Sequence, residues 1–169
     1  ESLSRAIEKD IIDHSFSSIE SINNSQLEEN IDLIIIAVSP KDTKEVIDSI
    51  KNLWNTSITI TDTASVKNHL KFASVSNIVL SHPIAGSDKS GISNANDSLF
   101  SNKKTIICNP FNADAHHVDS LKDFWRHALQ MRVSEMTVKE HDVLFAMTSH
   151  LPHLISYALI DSIRLSSKD

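Results

Sequence analysis

The sequence predicts an α/β fold built on a doubly wound, mostly parallel sheet. Short β-branched apolar runs recur along the chain and alternate with segments of helical composition, the order expected of strand–helix–strand units. The run at 31–38 (IDLIIIAV) is almost wholly apolar, as in strands that a parallel sheet buries on both faces. No internal repeat or low-complexity segment breaks the alternation.

Each predicted element rests on its own local pattern. Five β-branched or apolar runs predict strands at 31–38, 57–61, 77–81, 104–108 and 130–134. Stretches with helical composition or an apolar stripe predict helices at 1–9, 41–54, from Val66 onward, and at 113–129. The stripe formed by Leu121, Phe124 and Trp125 is typical of a helix packed on a core.

The last part of the chain predicts one long helix over 138–163, interrupted by Pro152. A helix of this length with an apolar face commonly leaves one domain and enters another. We therefore expect a boundary near Thr137, dividing the chain into residues 1–137 and 138–169. If nothing covers this helix, its apolar residues would be exposed, which favours self-association. They include Val143, Leu144, Met147, Leu154, Ile155 and Leu159.

Composition bounds the classes of partner and location. The 169 residues carry a formal net charge of −6 without a cluster of Lys and Arg, which argues against nucleic acid as a partner. The single cysteine, Cys108, cannot form an internal disulfide and is expected to be a small buried residue. No uninterrupted apolar run reaches the roughly 18 residues that favour a membrane span. We expect a cytoplasmic protein with no membrane partner.

Glycine is scarce, with only Gly86 and Gly91 in the chain. The turn that binds pyrophosphate in dinucleotide-binding domains is rich in glycine and lies between a first strand and helix. That turn cannot lie within these residues. We expect it before Glu1, and we expect a helical domain to continue after Asp169.

Two candidate functional segments follow predicted strands. In residues 60–67 (ITDTASVK), Asp62 or Ser65 could cap a helix starting at Val66, or could face a ligand. In residues 81–91 (SHPIAGSDKSG), His82 lies at a strand end next to a proline and a glycine turn. An imidazole with an ordinary pKa near 6.5 suits proton transfer, so we favour a functional over a structural role.

A third segment lies on the long helix, at 141–153 (HDVLFAMTSHLPH). Ser149 and His153 are four residues apart, and His150 and His153 three, so these side chains share a helical face. His141 is offset from them by about half a turn. No carboxylate or cysteine stands at zinc-ligand spacing, so we expect no metal site.

Together the three segments resemble the prephenate/arogenate dehydrogenase family. The motifs are D-x-x-S-V-K, H-P-I-A-G-S-x-x-S-G and H-D-x-x-x-A-x-x-S-H-L-P-H, in this order and with strands between them. The resemblance covers nearly the whole chain. It implies a Rossmann-like domain leading into an all-α dimerisation domain, and a homodimeric oxidoreductase of tyrosine biosynthesis. The implied cofactor is NAD, with NADP possible, and the substrate is prephenate or arogenate.

The resemblance also implies roles for individual residues. His82 would accept the proton of the substrate hydroxyl, and Ser65 would hydrogen-bond the same hydroxyl. The remaining substrate-binding residues would be Asp88, Ser149, His150 and His153. The cofactor would pass beside Ala37, Val38, Ser39, Pro40 and Thr63. Since the pyrophosphate turn lies outside these residues, we expect no measurable catalysis from this chain alone.

Two other interpretations remain open. One is another hydroxyacid dehydrogenase with a Rossmann-type domain, for which a lysine-based motif would be expected on the long helix. The other is a non-catalytic relic that still binds nucleotide or substrate. The presence of Ser65, His82 and His153 together argues against such a relic.

Overall fold

The computed structural model describes residues 2–23, 30–50, 56–70, 75–87, 89 and 91–166. Its strands are β1 (Leu33–Ile36), β2 (Thr59–Asp62), β3 (Leu80–Ile84), β4 (Lys104–Cys108) and β5 (Arg132–Glu135). Its α-helices are α1 (Ser2–Glu8), α2 (Ile19–Asn23), α3 (Pro40–Ile50), α4 (Ala115–Asp123), α5 (Val138–Phe145) and α6 (Leu151–Ser166). Two π-helical turns, Phe124–Ala128 and Ala146–His150, continue α4 and join α5 to α6.

The strands form a mostly parallel arrangement, as predicted. β1 pairs with β2 in parallel, and β4 pairs with β5 in parallel. A parallel bridge between Ile60 and Ile78 links the two groups, with the amide of Val79 donating to the carbonyl of Ile60 at 3.0 Å. The exception is β3, which runs antiparallel to β4. The antiparallel pair places the end of β3 beside the start of β4.

Two buried clusters lie on opposite faces of the strands, which is the meaning of doubly wound. Alternate residues of one strand point to opposite faces. Thus Leu80 belongs to the cluster that contains Ile47 of α3, whereas Val79 belongs to the cluster that contains Leu121 of α4 and Trp125 of the π turn that continues it. The predicted core stripe on α4 is therefore confirmed. Cys108 is buried in the first cluster, also as predicted.

The helix predicted from Val66 is wrong over the described residues 66–70, which form only a turn closed by the amide of Leu70 and the carbonyl of Lys67. The backbone amides of Lys67 and Asn68 instead donate to Asp142 on α5, at 3.0 and 2.8 Å. Within these described residues Asp62 caps no helix either. A carboxylate from a distant element has taken the place of helical hydrogen bonds.

Other predicted boundaries shift by a few residues, and α2 was not predicted. β1 is shorter than 31–38, and β3 extends through Pro83 to Ile84, past the predicted end at Ser81. The predicted helix 41–54 begins at Pro40, and residues 51–55 lie outside the described part. The long helix continues to Ser166. Its irregularity is the π turn just before Pro152, not a break at the proline.

Candidate functional site

A cleft of about 560 Å³ lies where β2 and β3 end and the long helix passes over them. It is lined by Ser65, His82, Pro83, Ile84, Ala85, Gly86, Phe145, Thr148, Ser149, His150 and His153. Five residues predicted to act on the substrate therefore share one cavity, although they come from three separate segments. They are Ser65, His82, Ser149, His150 and His153.

The segment that carries Ser65 is held from beneath by a buried ion pair. Lys67 Nζ donates to Asp62 Oδ2 at 2.5 Å and to the carbonyl oxygen of Ser81 at 2.6 Å, and both side chains are fully buried. Burial lowers the pKa of Lys67, while Asp62 opposes that shift. Asp62 also accepts the backbone amide of Ala64. These bonds fix the turn after β2 and leave Ser65 half-buried at the cleft.

His82 lies in the antiparallel part of the sheet, opposite Ile106 of β4. Its ring makes edge contacts with the rings of His141 and Phe145, at centroid distances of 5.0 and 4.7 Å. Burial, then the nearby His141, Lys67 and His150, lower the pKa of His82 to about 3. The imidazole is therefore neutral near pH 7, which is the state a proton acceptor needs.

Behind His82, away from the cleft, stands a polar pair from the start of the long helix. His82 Nδ1 lies 2.8 Å from His141 Nε2, and His141 Nδ1 lies 2.7 Å from Asp142 Oδ1. His141 is fully buried, and Asp142 also accepts the two backbone amides after Val66. Sequence reasoning missed this pair. The juxtaposition of His and Asp in the third motif was the available signal.

The cleft wall formed by the long helix is the π turn and the first turn of α6. Ser149 and His150 end the π turn, and His153 lies one turn beyond. His141 contacts His82 in the sheet, whereas His150 and His153 line the cleft together with His82. In the described residues, no group of three His, Cys, Asp or Glu side chains is arranged to hold a metal.

The residues expected to meet the cofactor lie at the carboxyl ends of β1 and β2. Ala37, Val38 and Ser39 follow β1 and are exposed, and Pro40 begins α3. Thr63 follows β2, and its amide donates to the carbonyl of Ile36 at 3.1 Å. The two strand ends therefore adjoin. Asp88, predicted near the cleft mouth, lies outside the described residues.

Comparison with known proteins now decides the family. Residues 1–133 match the family model for the prephenate dehydrogenase nucleotide-binding domain, and residues 137–169 match that for the prephenate dehydrogenase dimerization domain. The chain belongs to the prephenate dehydrogenase family.

Individual relatives agree with this assignment. Cyclohexadienyl dehydrogenase from Zymomonas mobilis is 30% identical over 128 residues, covering 76% of this chain and 41% of that protein. The crystal structure of Aquifex aeolicus prephenate dehydrogenase with hydroxyphenyl propionate and NAD+ superposes with a TM-score of 0.80 at 28% identity, covering 94% of this chain and 55% of that one. Synechocystis arogenate dehydrogenase, at 22% identity, shares the fold with a TM-score of 0.76, covering 94% of this chain and 56% of that one.

The chain thus spans about half the length of these relatives. The Rossmann-like fold leading into a helical region is common to this chain and to those structures.

Proposed function

We propose that the protein containing this chain is an oxidoreductase that catalyses the NAD-dependent oxidative decarboxylation of prephenate or arogenate in tyrosine biosynthesis. Family membership supports the reaction class. The observation that carries the proposal is the cleft in which His82 and Ser65 face His153 and Ser149 of the long helix. An imidazole base, a hydroxyl and a second polar wall suit a ring that bears a hydroxyl and a carboxylate.

His82 is the proton acceptor in this proposal. As the substrate hydroxyl becomes a carbonyl, its proton passes to the neutral imidazole of His82. A base positioned for such a transfer contributes roughly 10²- to 10⁴-fold to the rate. Ser65 orients the hydroxyl, and the carboxylate on the ring is lost as carbon dioxide. The new ring is aromatic, so the main task of the protein is positioning.

The strand ends suit a dinucleotide. Ligands of open α/β sheets bind beyond the carboxyl ends of the strands, where this chain places Ala37, Val38, Ser39 and Thr63. Exposed residues without large charged groups would leave room for a flat ring at this edge. When bound, NAD+ would accept the hydride from the substrate carbon. Thr63 lies two residues from Ser65, so this edge adjoins the cleft.

NAD is preferred over NADP because the Aquifex aeolicus relative was crystallised with NAD+. Formation of NADH and NADPH should be followed with prephenate and with arogenate, in the full gene product and its His82→Ala variant. We expect NADH formation with one substrate and a loss of about 10²- to 10⁴-fold in kcat on removal of the base. His14→Ala, far from the cleft in sequence and exposed, is the matched control.

A folded protein that binds nucleotide but turns over neither substrate would contradict the assignment and favour another hydroxyacid dehydrogenase. A folded protein that binds no nucleotide would favour a relic.

We further propose that α6 packs against a second copy of the protein. No described side chain of α6 is buried, and the exposed apolar residues predicted from the sequence are exposed in the structure: Val143, Leu144, Met147, Leu154, Ile155 and Leu159. By length and composition alone, the helix Val138–Ser166 could also cross a membrane. The dimerization-domain match over 137–169 supports a protein partner instead. The domain boundary near Thr137 stays a prediction.

Light scattering of the full gene product should give twice the protomer mass, without association with neutral phospholipid vesicles. A monomer, or recovery with vesicles, would overturn the proposed dimer. The cytoplasmic location also remains a proposal, which fractionation of cells expressing the protein would check.

A further inference from the structure

The hydrogen bonds behind His82 determine which ring nitrogens carry protons. Burial raises the pKa of Asp142, but the donors His141, Asn68 and Lys67 more than offset this and lower it. Asp142 is therefore a carboxylate near neutral pH and can only accept hydrogen bonds. His141 Nδ1, 2.7 Å away, must be the donor.

The assignment then passes to the next ring. Burial lowers the pKa of His141 despite its bond to Asp142, so this ring is neutral near pH 7. A neutral imidazole carries one proton, and that proton is on Nδ1. His141 Nε2 is consequently an acceptor, and His82 Nδ1, 2.8 Å away, must donate to it. The Nε2 atom of His82 is left with a lone pair.

We propose that Asp142 is a positioning residue that acts through His141 to keep His82 in the tautomer whose Nε2 can accept a proton. This inference rests on the proposed function for its chemistry. In the reaction, His82 Nε2 gains the hydroxyl proton and Nδ1 keeps its own. The imidazolium that forms remains hydrogen-bonded to His141, and the carboxylate of Asp142 is bonded in turn to the other nitrogen of the His141 ring.

Asp142 has a second link to the same chemistry. Its Oδ1 accepts the amide of Lys67 at 3.0 Å, and its Oδ2 accepts the amide of Asn68 at 2.8 Å. These amides lie just beyond Ser65 in the chain. One carboxylate thus holds both the base, through His141, and the turn that presents Ser65. Its placement on α5 ties the two groups to the long helix.

Several groups other than Asp142 act on His82. From α5 and the π turn come His141 and His150, and from the turn after β2 comes Lys67, all of which lower its pKa. Asp142 acts in the opposite direction and raises the pKa of His82. Removing its charge should therefore make His82 a weaker base and move the acid limb of the rate profile to lower pH.

The tautomer can be measured without turnover. In the chain labelled with ¹⁵N at histidine, nitrogen shifts distinguish protonated from bare ring nitrogens, and His82→Gln and His141→Gln spectra assign the two rings. At pH 7.5 we expect both rings to be protonated on Nδ1 and bare on Nε2. Protonation of His82 at Nε2 would overturn the inference, even if Asp142→Asn failed to fold.

The kinetic test compares Asp142→Asn with Glu140→Gln, an exposed carboxylate two residues earlier on α5 whose replacement can still form the capping box. For Asp142→Asn we expect kcat to fall about 10- to 100-fold, the range given by partners that orient metal-bound imidazoles. KM for NAD should change little and the acid limb should shift to lower pH. An unshifted limb with kcat near wild type would contradict the inference. If no substrate is turned over by wild type, the proposed function fails while the nitrogen shifts still decide this inference.

Discussion

The two halves of the long helix have opposite surroundings. In α5, His141 is fully buried and Asp142 binds backbone amides from the turn after β2. Thr137 and Glu140 form a capping box at its start. In α6, no described side chain is buried. The half that is fixed to the sheet combines these polar bonds with the packing of Val138 and Phe145 on the core, whereas the more apolar half has no buried side chain among its described residues.

This difference teaches that apolar content along a helix does not tell which part is packed. Between 143 and 160 the chain has no Asp, Glu, Lys or Arg, yet this stretch contains most of the large exposed apolar residues in the described part of the chain. Such a surface is expected where a partner covers it. The buried half is identified by hydrogen-bonded polar groups, because burial without partners would destabilise the fold.

The largest expected effect comes from removing the ammonium group of Lys67. It lies beneath the turn after β2, whose backbone amides bind Asp142 of α5. Lys67→Met leaves Asp62 buried without its ion-pair partner, which should lower the free energy of unfolding by about 3–5 kcal/mol. Urea unfolding followed by circular dichroism measures this. The control Lys44→Met removes an exposed pair with Asp48 and should change it by at most about 1 kcal/mol. Equal effects would show that the buried pair is not the anchor.

The next comparison is between a buried leucine on α4 and an exposed leucine on α6. Leu121 is 1% exposed and Leu159 is 61% exposed. Leu121→Ala should lower the free energy of unfolding by about 2–5 kcal/mol. At protein concentrations below self-association, Leu159→Ala should lie within about 0.5 kcal/mol of wild type. A large loss for Leu159 in the monomer would mean that α6 packs on its own chain.

A smaller effect is expected at the start of α5. The side chain of Thr137 accepts the amide of Glu140, so Thr137→Ala should lower the free energy of unfolding by about 1 kcal/mol. Chemical denaturation is sensitive enough to detect it. Ser156→Ala on α6, where the hydroxyl only donates to the carbonyl of Pro152, is the matched control. An equal loss of unfolding free energy in Ser156→Ala would contradict the capping role of Thr137.

The smallest effect expected is a change in the slope of stability against pH. In the fold the pKa of His82 is lowered to about 3, whereas the unfolded chain has an ordinary value near 6.5. The unfolded state therefore binds more protons between these values, and stability falls as pH drops from about 6.5 towards 3. His141 and His117 shift in the same direction. Urea unfolding at pH 7.5 and 5 should show a shallower dependence in His82→Asn, and an unchanged one would contradict the burial of that ring.

Local pattern predicted most of the sheet and one wall of the cleft. β4 has the bounds predicted from its apolar run, and Leu121 and Trp125 are core residues. The cleft brings Ser65 and His82 together because Ser65 follows β2 and His82 lies near the end of β3, at the same edge of the sheet. Their roles in catalysis stay predictions.

The rest depended on contacts that no local pattern encodes. His141 meets His82 across 59 residues of sequence, and Asp142 meets Lys67 across 75. Such bonds replaced the helix expected after Ser65. A His and an Asp on an apolar helix have the same periodicity whether they face solvent or bind a distant strand.

The π turn at 146–150 sets the angular phase of the long helix. Each residue of an α-helix turns the chain by roughly 100°, from 3.6 residues per turn, and a π turn holds one residue more than an α turn would. The π turn therefore sets the angle between the direction of His141, towards the sheet, and the direction in which Tyr157 and Ile160 project. A deletion of one residue in this turn would rotate the outer surface of α6 relative to the sheet. Catalytic geometry and the orientation of a partner would then change together.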